Sequence, residues 1–201
     1  MSWLMDHIGL PHNVESGADP TSHVLEAAAQ APAGADGLIF LPYLTGERAP
    51  YWNENAKGAF FGLQVRHTRA HLLRAGIEGT VFALRSILNL VGKSDDLDAV
   101  VVRGSGGLFR SSMWCQLVAD VFAVPVEVTE QAEVSGFGAA QYGFFALGEF
   151  PRLEDVARAV RVRERFEPEP GAVRIYAHKA SLFEELYRNT EGCFAALDDS
   201  Q

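Results

Sequence analysis

Two hydrophobic periods divide this chain into elements. The strongest helical signal runs from about Thr68 to Val91, where Leu73, Ile77, Val81, Leu84, Leu88 and Val91 recur every three or four residues. Val100, Val101 and Val102 instead form a continuous apolar run, which predicts a strand over 98–103 covered on both faces. Gly104, Gly106 and Gly107 follow as a turn, and then a helix begins. Ser111 or Ser112 is placed to cap that helix, and Trp114, Leu117, Val118 and Val121 form its apolar face. A short strand over Pro125–Thr129 completes a βαβ unit, so the two strands should be parallel.

The remaining pattern is weaker. Trp3 to Leu10 has helical spacing with little run-in, as if ending an element that begins outside this sequence, and Thr21 to Gln30 predicts a short helix. Strand signals lie at Gly37–Tyr43 and Gly58–Gln64; the link between them, TGERAPYWNENAKG, is too polar and turn-rich for a core. Residues 135–148 predict a helix with small residues on one face, suited to close packing against a sheet. The charged stretch Arg152–Glu169, ending in Pro168 and Pro170, predicts a solvated helix and linker. A last helix, Val173 to Leu197, places Phe183, Leu186, Thr190, Phe194 and Leu197 on one side.

Composition narrows the function classes. The chain has 201 residues, 48% of them hydrophobic, enough for one sizeable core. A formal charge of −9 argues against a general nucleic-acid binder, which needs excess Lys and Arg for the phosphate backbone. It leaves room for a small phosphate-bearing ligand held by local donors. No apolar stretch is long enough to span a bilayer, and no leader-like segment opens the sequence. Cys115 and Cys193 are far apart and share no ligand spacing with the six histidines, so a zinc site is not expected and Cys115 reads as a buried thiol in a reducing cytoplasm.

A strand, a glycine turn and a helix start together form a common nucleotide or anion site, because unpaired N–H groups point at the ligand. On spacing alone, Gly106 and Gly107 fit a plain strand-to-helix turn equally well. Gly104-x-Gly106 with Glu127 in the next strand also suggests a dinucleotide fingerprint, but Phe109 stands where the third glycine belongs. Glu47 and Arg48 lie in the polar link, where they could line a cleft or form a local ion pair. Tyr51 and Trp52 fit a cover over the core edge better than a platform for a sugar. Glu78, four residues after Arg74, fits a structural i,i+4 pair. His67 and His71 lack a third metal ligand, and Asp120 has no partner carboxylate, so neither a metal site nor a catalytic base is assigned.

Four segments in register resemble the C-terminal half of the FGGY carbohydrate kinases. FLPYLTGERAPYWNENAKG resembles the family's strand and GER-AP loop. GAFFGLQVRHTRAHLLRAGIEG follows its signature through Gly58, Phe60, Gly62, Leu63, His71, Ala75 and Glu78, departing at Gly76, where a helix former is usual. SGGLFRSSMWCQLVADVFAVPV resembles the adenosine motif, and SGFGAAQYGFFALG the final Gly-Ala-Ala helix that closes the nucleotide pocket. Xylulose kinases share much of the first segment, but the GERAPYW loop, the HTRAHLLRA helix start and the turn before Arg110-Ser111 look most like gluconate kinases.

The resemblance implies an α/β fold of the ribonuclease-H-like, actin-like ATPase type, with a mixed sheet joining the early strands to the parallel pair and helices on both faces. Residues 1–150 would be the nucleotide-binding domain without its first strands, and 151–201 a helical extension of it. ATP and Mg²⁺ would be the cofactors. Gly106, Gly107, Leu108, Arg110, Ser111 and Gly138 would line the adenosine side, with Leu108 over the base, and Glu47 and Arg48 would order a cleft loop. The catalytic base and the phosphate loops would lie outside this sequence, as would most contacts to the sugar or sugar acid. The implied protein is cytoplasmic. The alternative is a non-catalytic nucleotide-binding or interaction module, which could form a homodimer through the face that would have met the N-terminal domain.

Overall fold

The computed structural model describes residues 2–9, 20–91, 101–130, 134–156 and 160–198. The chain opens with a helical turn, α1 (Ser2–Leu4), that widens into a π-type turn over Met5–Gly9, followed by α2 (Pro20–Ala29). β1 (Ile39–Pro42) and β2 (Gly58–Phe61) pair antiparallel, and α3 (Arg69–Val91) lies across β1. β3 (Val102–Gly104) leads through a 3-10 turn, Leu108–Arg110, into α4 (Ser112–Phe122). β4 (Val126–Thr129) follows, then α5 (Val134–Ala146), α6 (Leu153–Val156), β5 (Val162–Phe166) and α7 (Pro170–Asp198).

β1 is apolar throughout because both its faces are covered. Ile39 and Leu41 point into the main core with Leu73, Ile77 and Val81 of α3. Phe40, with Leu38 just before the strand, points the other way into a smaller core with Leu4, Ala35 and Ala75. A strand buried on two sides has no polar face to alternate with. From α4, Trp114, Leu117, Val118 and Val121 enter the main core as their spacing predicts.

The βαβ unit forms as expected, with β3 parallel to β4. Only Val102–Gly104 are strand here, and Val101 before them is 36% exposed, so the run is not covered on both sides as expected. Residues 98–100 of the expected strand lie outside the described residues.

Five other expectations need correction. The early strands do not join the parallel pair: among the described residues β1–β2 is a separate two-stranded sheet and β3–β4–β5 a three-stranded mixed one. The charged stretch after 152 is not only helix and linker, because Val162–Phe166 pairs antiparallel with β4. Its charges belong to an outer strand, where Glu127 of β4 lies in register between Arg103 of β3 and Arg165 of β5. Charged cross-strand neighbours and a charged edge keep such a sheet in register and from adding further strands. The Arg103 hydrogen bond, reinforced by Arg165, holds the Glu127 carboxyl below the usual carboxylate range. That ladder also removes Glu127 as a ribose ligand.

The third correction concerns α5, which does not press its small residues onto a sheet: none of its residues is buried. The fourth is the inward face of two helices. On α3, Leu84 is exposed and Leu88 half-buried, while Phe82 and Ser86 turn inward. The cause is α7, whose Tyr176 and Phe183 meet Phe82 edge-on or tilted at 6.1 and 5.7 Å. On α7 the buried line is Tyr176, Ala180, Phe183, Tyr187 and Phe194, leaving Leu186 and Thr190 half-buried and Leu197 exposed. Finally, the 45–57 link is partly core, since Glu47 and Ala56 are buried.

Cys115 is buried and Cys193 exposed. Burial pushes the Cys115 thiol up to about 11, leaving little thiolate at neutral pH. Alkylation of the native chain at pH 8 is therefore expected to modify Cys193 and spare Cys115, read by peptide mass spectrometry.

Candidate functional site

The turn after β3 is assembled from three constraints. Gly104 has no room for a side chain, since a Cβ there would fall 2.0 Å from the Phe109 ring. Gly106 takes φ +91°, which a side chain rarely tolerates. Gly107 is different: it is helical at φ −60°, ψ −43°, and its backbone would accept any residue. A Cβ at Gly106 or Gly107 would meet nothing within 4 Å. The turn thus offers an open backbone surface at the point where its glycines lie.

The first hydrogen bond of the 3-10 turn runs from the Arg110 N–H to the Gly107 carbonyl, so the amides of Gly107, Leu108 and Phe109 precede its bonded part. Ser111, rather than Ser112, caps α4, its hydroxyl accepting from the Trp114 N–H at 3.4 Å. Leu108 is half-buried and Arg110 exposed, both on this turn. A cavity of about 50 Å³ opens beside them between Gly106, Arg110, Thr129 and Arg163. Arg163 reaches the turn from β5, donating to the Phe109 carbonyl at 3.3 Å; the missed strand is why this residue was not anticipated. Gly138 lies on the exposed α5, with nothing within 4 Å of a Cβ there. The five turn residues are brought together by chain adjacency, whereas Gly138 belongs to a separate element.

Gln116 and Asp120 of the adenosine-like motif serve the fold. Asp120 Oδ1 accepts from Gln116 Nε2 at 2.9 Å and from the Glu169 N–H at 2.8 Å, joining α4 to the start of α7. The two histidines hold the start of α3: His67 Nδ1 accepts from the Gln64 N–H, and His71 Nδ1 from the Thr68 N–H. Among the described residues no group of three His, Cys, Asp or Glu side chains could hold a metal ion.

Glu47 is 6% exposed and lines the cavity beside its loop. Its Oε2 accepts from the Tyr51 and Trp52 N–H groups at 2.8 and 2.9 Å, closing the loop around itself. Arg48 stays exposed on that loop. Tyr51 covers the core edge as expected, stacked on Tyr187 at 4.0 Å, but Trp52 does not: it is 81% exposed. Glu78 has far more partners than Arg74. It is fully buried and accepts from Arg74 Nε, Tyr176 Oη and the Gly34 N–H on Oε1, and from Lys179 Nζ on Oε2. Lys179 also donates to the Gly34 and Leu38 carbonyls. In the sequence, a lysine at the right phase of α7 was the one available signal for this network.

Known proteins share this architecture. Over 185 residues the chain is 34% identical to a gluconokinase of Bacillus licheniformis, covering 92% of itself and 36% of that protein. It is 33% identical over 176 residues to a xylulose kinase of Staphylococcus epidermidis, covering 87% of itself and 35% of that protein. A crystal structure of gluconate kinase from Lactobacillus acidophilus superposes with a TM-score of 0.86 at 29% identity, over 98% of this chain and 38% of that one. The chain thus spans a little over a third of the length of these relatives, and it has their actin-like, ribonuclease-H-like α/β fold. Residues 1–147 match the C-terminal domain of the FGGY family of carbohydrate kinases, and the chain belongs to that family.

Proposed function

We propose that this chain is the adenosine-binding, C-terminal part of an ATP-dependent kinase that phosphorylates a sugar or sugar acid, gluconate first. The observation that carries the reading is the open glycine turn at 106–107 feeding the Ser111-capped helix, in a chain of this family. Gly106 and Gly107 let the nucleoside approach the backbone, Leu108 covers the base, and Arg110 reaches the ribose or a phosphate. Gly138 contributes from the second glycine segment. Glu47 acts by holding the cleft loop, and Arg48 by standing exposed on it.

Phosphoryl transfer rests on positioning, on Mg²⁺ neutralising the developing charge, and on a base that orients the acceptor hydroxyl. That base is assigned to a part of the kinase outside these 201 residues. The chain's own task is to hold the nucleoside end of ATP at a fixed place. Residues 1–150 are proposed as the nucleotide-binding domain and 151–201 as its extension, in a cytoplasmic protein.

Gly107 supplies the test. Because its backbone is already helical, Gly107→Leu adds bulk without backbone strain. Calorimetric titration of the chain with Mg·ADP should show saturable binding, at least tenfold weaker in Gly107→Leu, and none with NAD. A folded chain that ignores ADP, or binds it equally well in the variant, overturns the assignment of the turn. Failure of the full-length protein to phosphorylate gluconate or xylulose overturns the kinase reading.

A second reading, with the neutral xylulose as acceptor, is favoured by one observation: Glu54 and Glu191 line the cavity beside the cleft loop and would repel a sugar acid.

A further inference from the structure

Trp52 is turned out of the fold by a loop built to hold it there. Its backbone takes φ +54°, a left-handed conformation that bulky residues rarely adopt, and its side chain is 81% exposed. Hydrogen bonds fix that conformation. Glu47 Oε2 accepts from the Tyr51 and Trp52 N–H groups, and the Glu47 N–H donates to the Asn53 carbonyl at 2.8 Å. From α7, Tyr187 Oη accepts from Asn53 Nδ2 at 3.0 Å, and its ring stacks on Tyr51.

Beside the indole opens a cavity of about 660 Å³, within the range of small-molecule sites. Its charges are unbalanced. Glu47, Glu54 and Glu191 bring three carboxylates to the wall against the one guanidinium of Arg48, a net charge of −2. Glu47 is more than nine-tenths buried, and both of its loop bonds fall on Oε2. Among the described residues nothing donates to its Oε1, and Glu54 and Glu191 form no ion pair. A buried carboxylate with one oxygen unsatisfied favours a charged donor arriving from the cavity that it lines. The indole adds a second attraction, because the face of its ring is the negative end of its quadrupole. A single metal ion does not fit this wall: among the described residues no three acidic, His or Cys side chains converge closely enough to hold one. Dispersed carboxylates beside a flat aromatic face suit an extended organic cation that carries two or more charges.

We infer that the Trp52 cavity is a binding site for a linear aliphatic di- or polyamine, with one ammonium group over the indole and the others on the Glu47, Glu54 and Glu191 carboxylates. The inference goes beyond the kinase reading and holds whichever acceptor that reading takes.

Titration of the 201-residue chain with spermidine at low salt, followed by calorimetry and tryptophan fluorescence, tests it. Mg²⁺ serves as a compact dication for comparison. One saturable spermidine site is expected, reported by the exposed Trp52. Trp52→Ala should weaken binding at least about threefold, the effect of a cation over an exposed ring. Glu54→Gln combined with Glu191→Gln should weaken it about tenfold, through two exposed ion pairs acting together. Glu149→Gln combined with Glu154→Gln removes the same charge from exposed positions outside the cavity wall, and should leave the affinity within about twofold. All five side chains are exposed, so circular dichroism of each variant should match the parent chain. No binding by the folded chain, affinity unchanged in Trp52→Ala, or equal losses in the two glutamate pairs overturns the site. So does Mg²⁺ that displaces spermidine with equal affinity, because attraction by net charge alone would then account for the binding.

Discussion

Replacing Lys179 by methionine is expected to destabilise the chain by about 3–5 kcal/mol, the range for removing one partner of a buried ion pair. Lys179 Nζ donates to Glu78 Oε2 at 3.1 Å and to the Gly34 and Leu38 carbonyls at 2.6 and 2.8 Å. The substitution leaves all three acceptors short of a donor, and the Glu78 carboxylate among them is fully buried. Burial pulls the ammonium below the usual lysine range while Glu78 pulls it back up, so the site tolerates the charge only because of its partner. Methionine fills the stem's volume, so the loss should report the polar contacts rather than a cavity. Urea unfolding followed by fluorescence measures it. Combining Lys179→Met with Glu78→Leu should cost less than the sum of the two single changes by at least ~1 kcal/mol, because the pair acts as a unit. A single-variant loss below ~1 kcal/mol would mean that the network does not hold α7 in place.

The second large effect comes from a smaller change. Gly79 lies where α3 crosses β1, and a Cβ there would fall 2.1 Å from the Phe40 carbonyl oxygen. Backbone cannot rotate away as a side chain can, so Gly79→Ala must lift the helix from the strand. Overpacking typically costs about 1–3 kcal/mol, occasionally more, against ~1 kcal/mol gained from helix propensity. With a backbone clash this close the steric side wins, and a net loss of about 2 kcal/mol or more is expected. The same exchange at Gly143 on α5, where a Cβ meets nothing within 4 Å, should stabilise by up to ~1 kcal/mol. Thermal unfolding of the two variants, side by side, should move the melting temperature in opposite directions.

These two sites also mark how far the sequence could be read. The period of α3 gave its existence and its first inward residues, Leu73, Ile77 and Val81, because those face a strand close in sequence. It failed at Leu84 and Leu88, where the neighbour becomes α7, an element about a hundred residues away. Periodicity records that a face is apolar without recording which element covers each turn. Gly76 looked like a defect in a helix, yet a Cβ there would fall 2.5 Å from Leu4, so the glycine is a seat for that side chain. β5 was hidden because an edge strand with solvent on most sides, Val162–Phe166, carries a charged pattern rather than an apolar one.

The site was legible in outline. Gly106, the Ser111 cap and the α4 face follow from local chemistry, and the order of four motifs pointed to the family. What local reading missed lies partly in loop geometry and partly in contacts far apart in sequence. Glu47 could line a cleft or form a local ion pair on the sequence alone; its Oε2 accepts from the N–H groups of its own loop, and Trp52, expected as a cover, faces solvent. Asp120 and Gln116, part of a motif associated with the nucleotide, tie two helices together.

The Glu78 network has a further consequence for how the chain is made. Glu78 waits for a partner 101 residues later in the chain. At about 5–20 residues per second, the ribosome takes roughly 5–20 s to supply it. Through that interval β1 and α3 can collapse, but the carboxylate at their centre has only Arg74 and Gly34 to hold it. Contacts of such long separation also slow folding, because loop closure must precede the bonds that reward it. The core around β1 and α3 therefore stays unfinished while the residues between Glu78 and Lys179 are made, and α7 is what closes it.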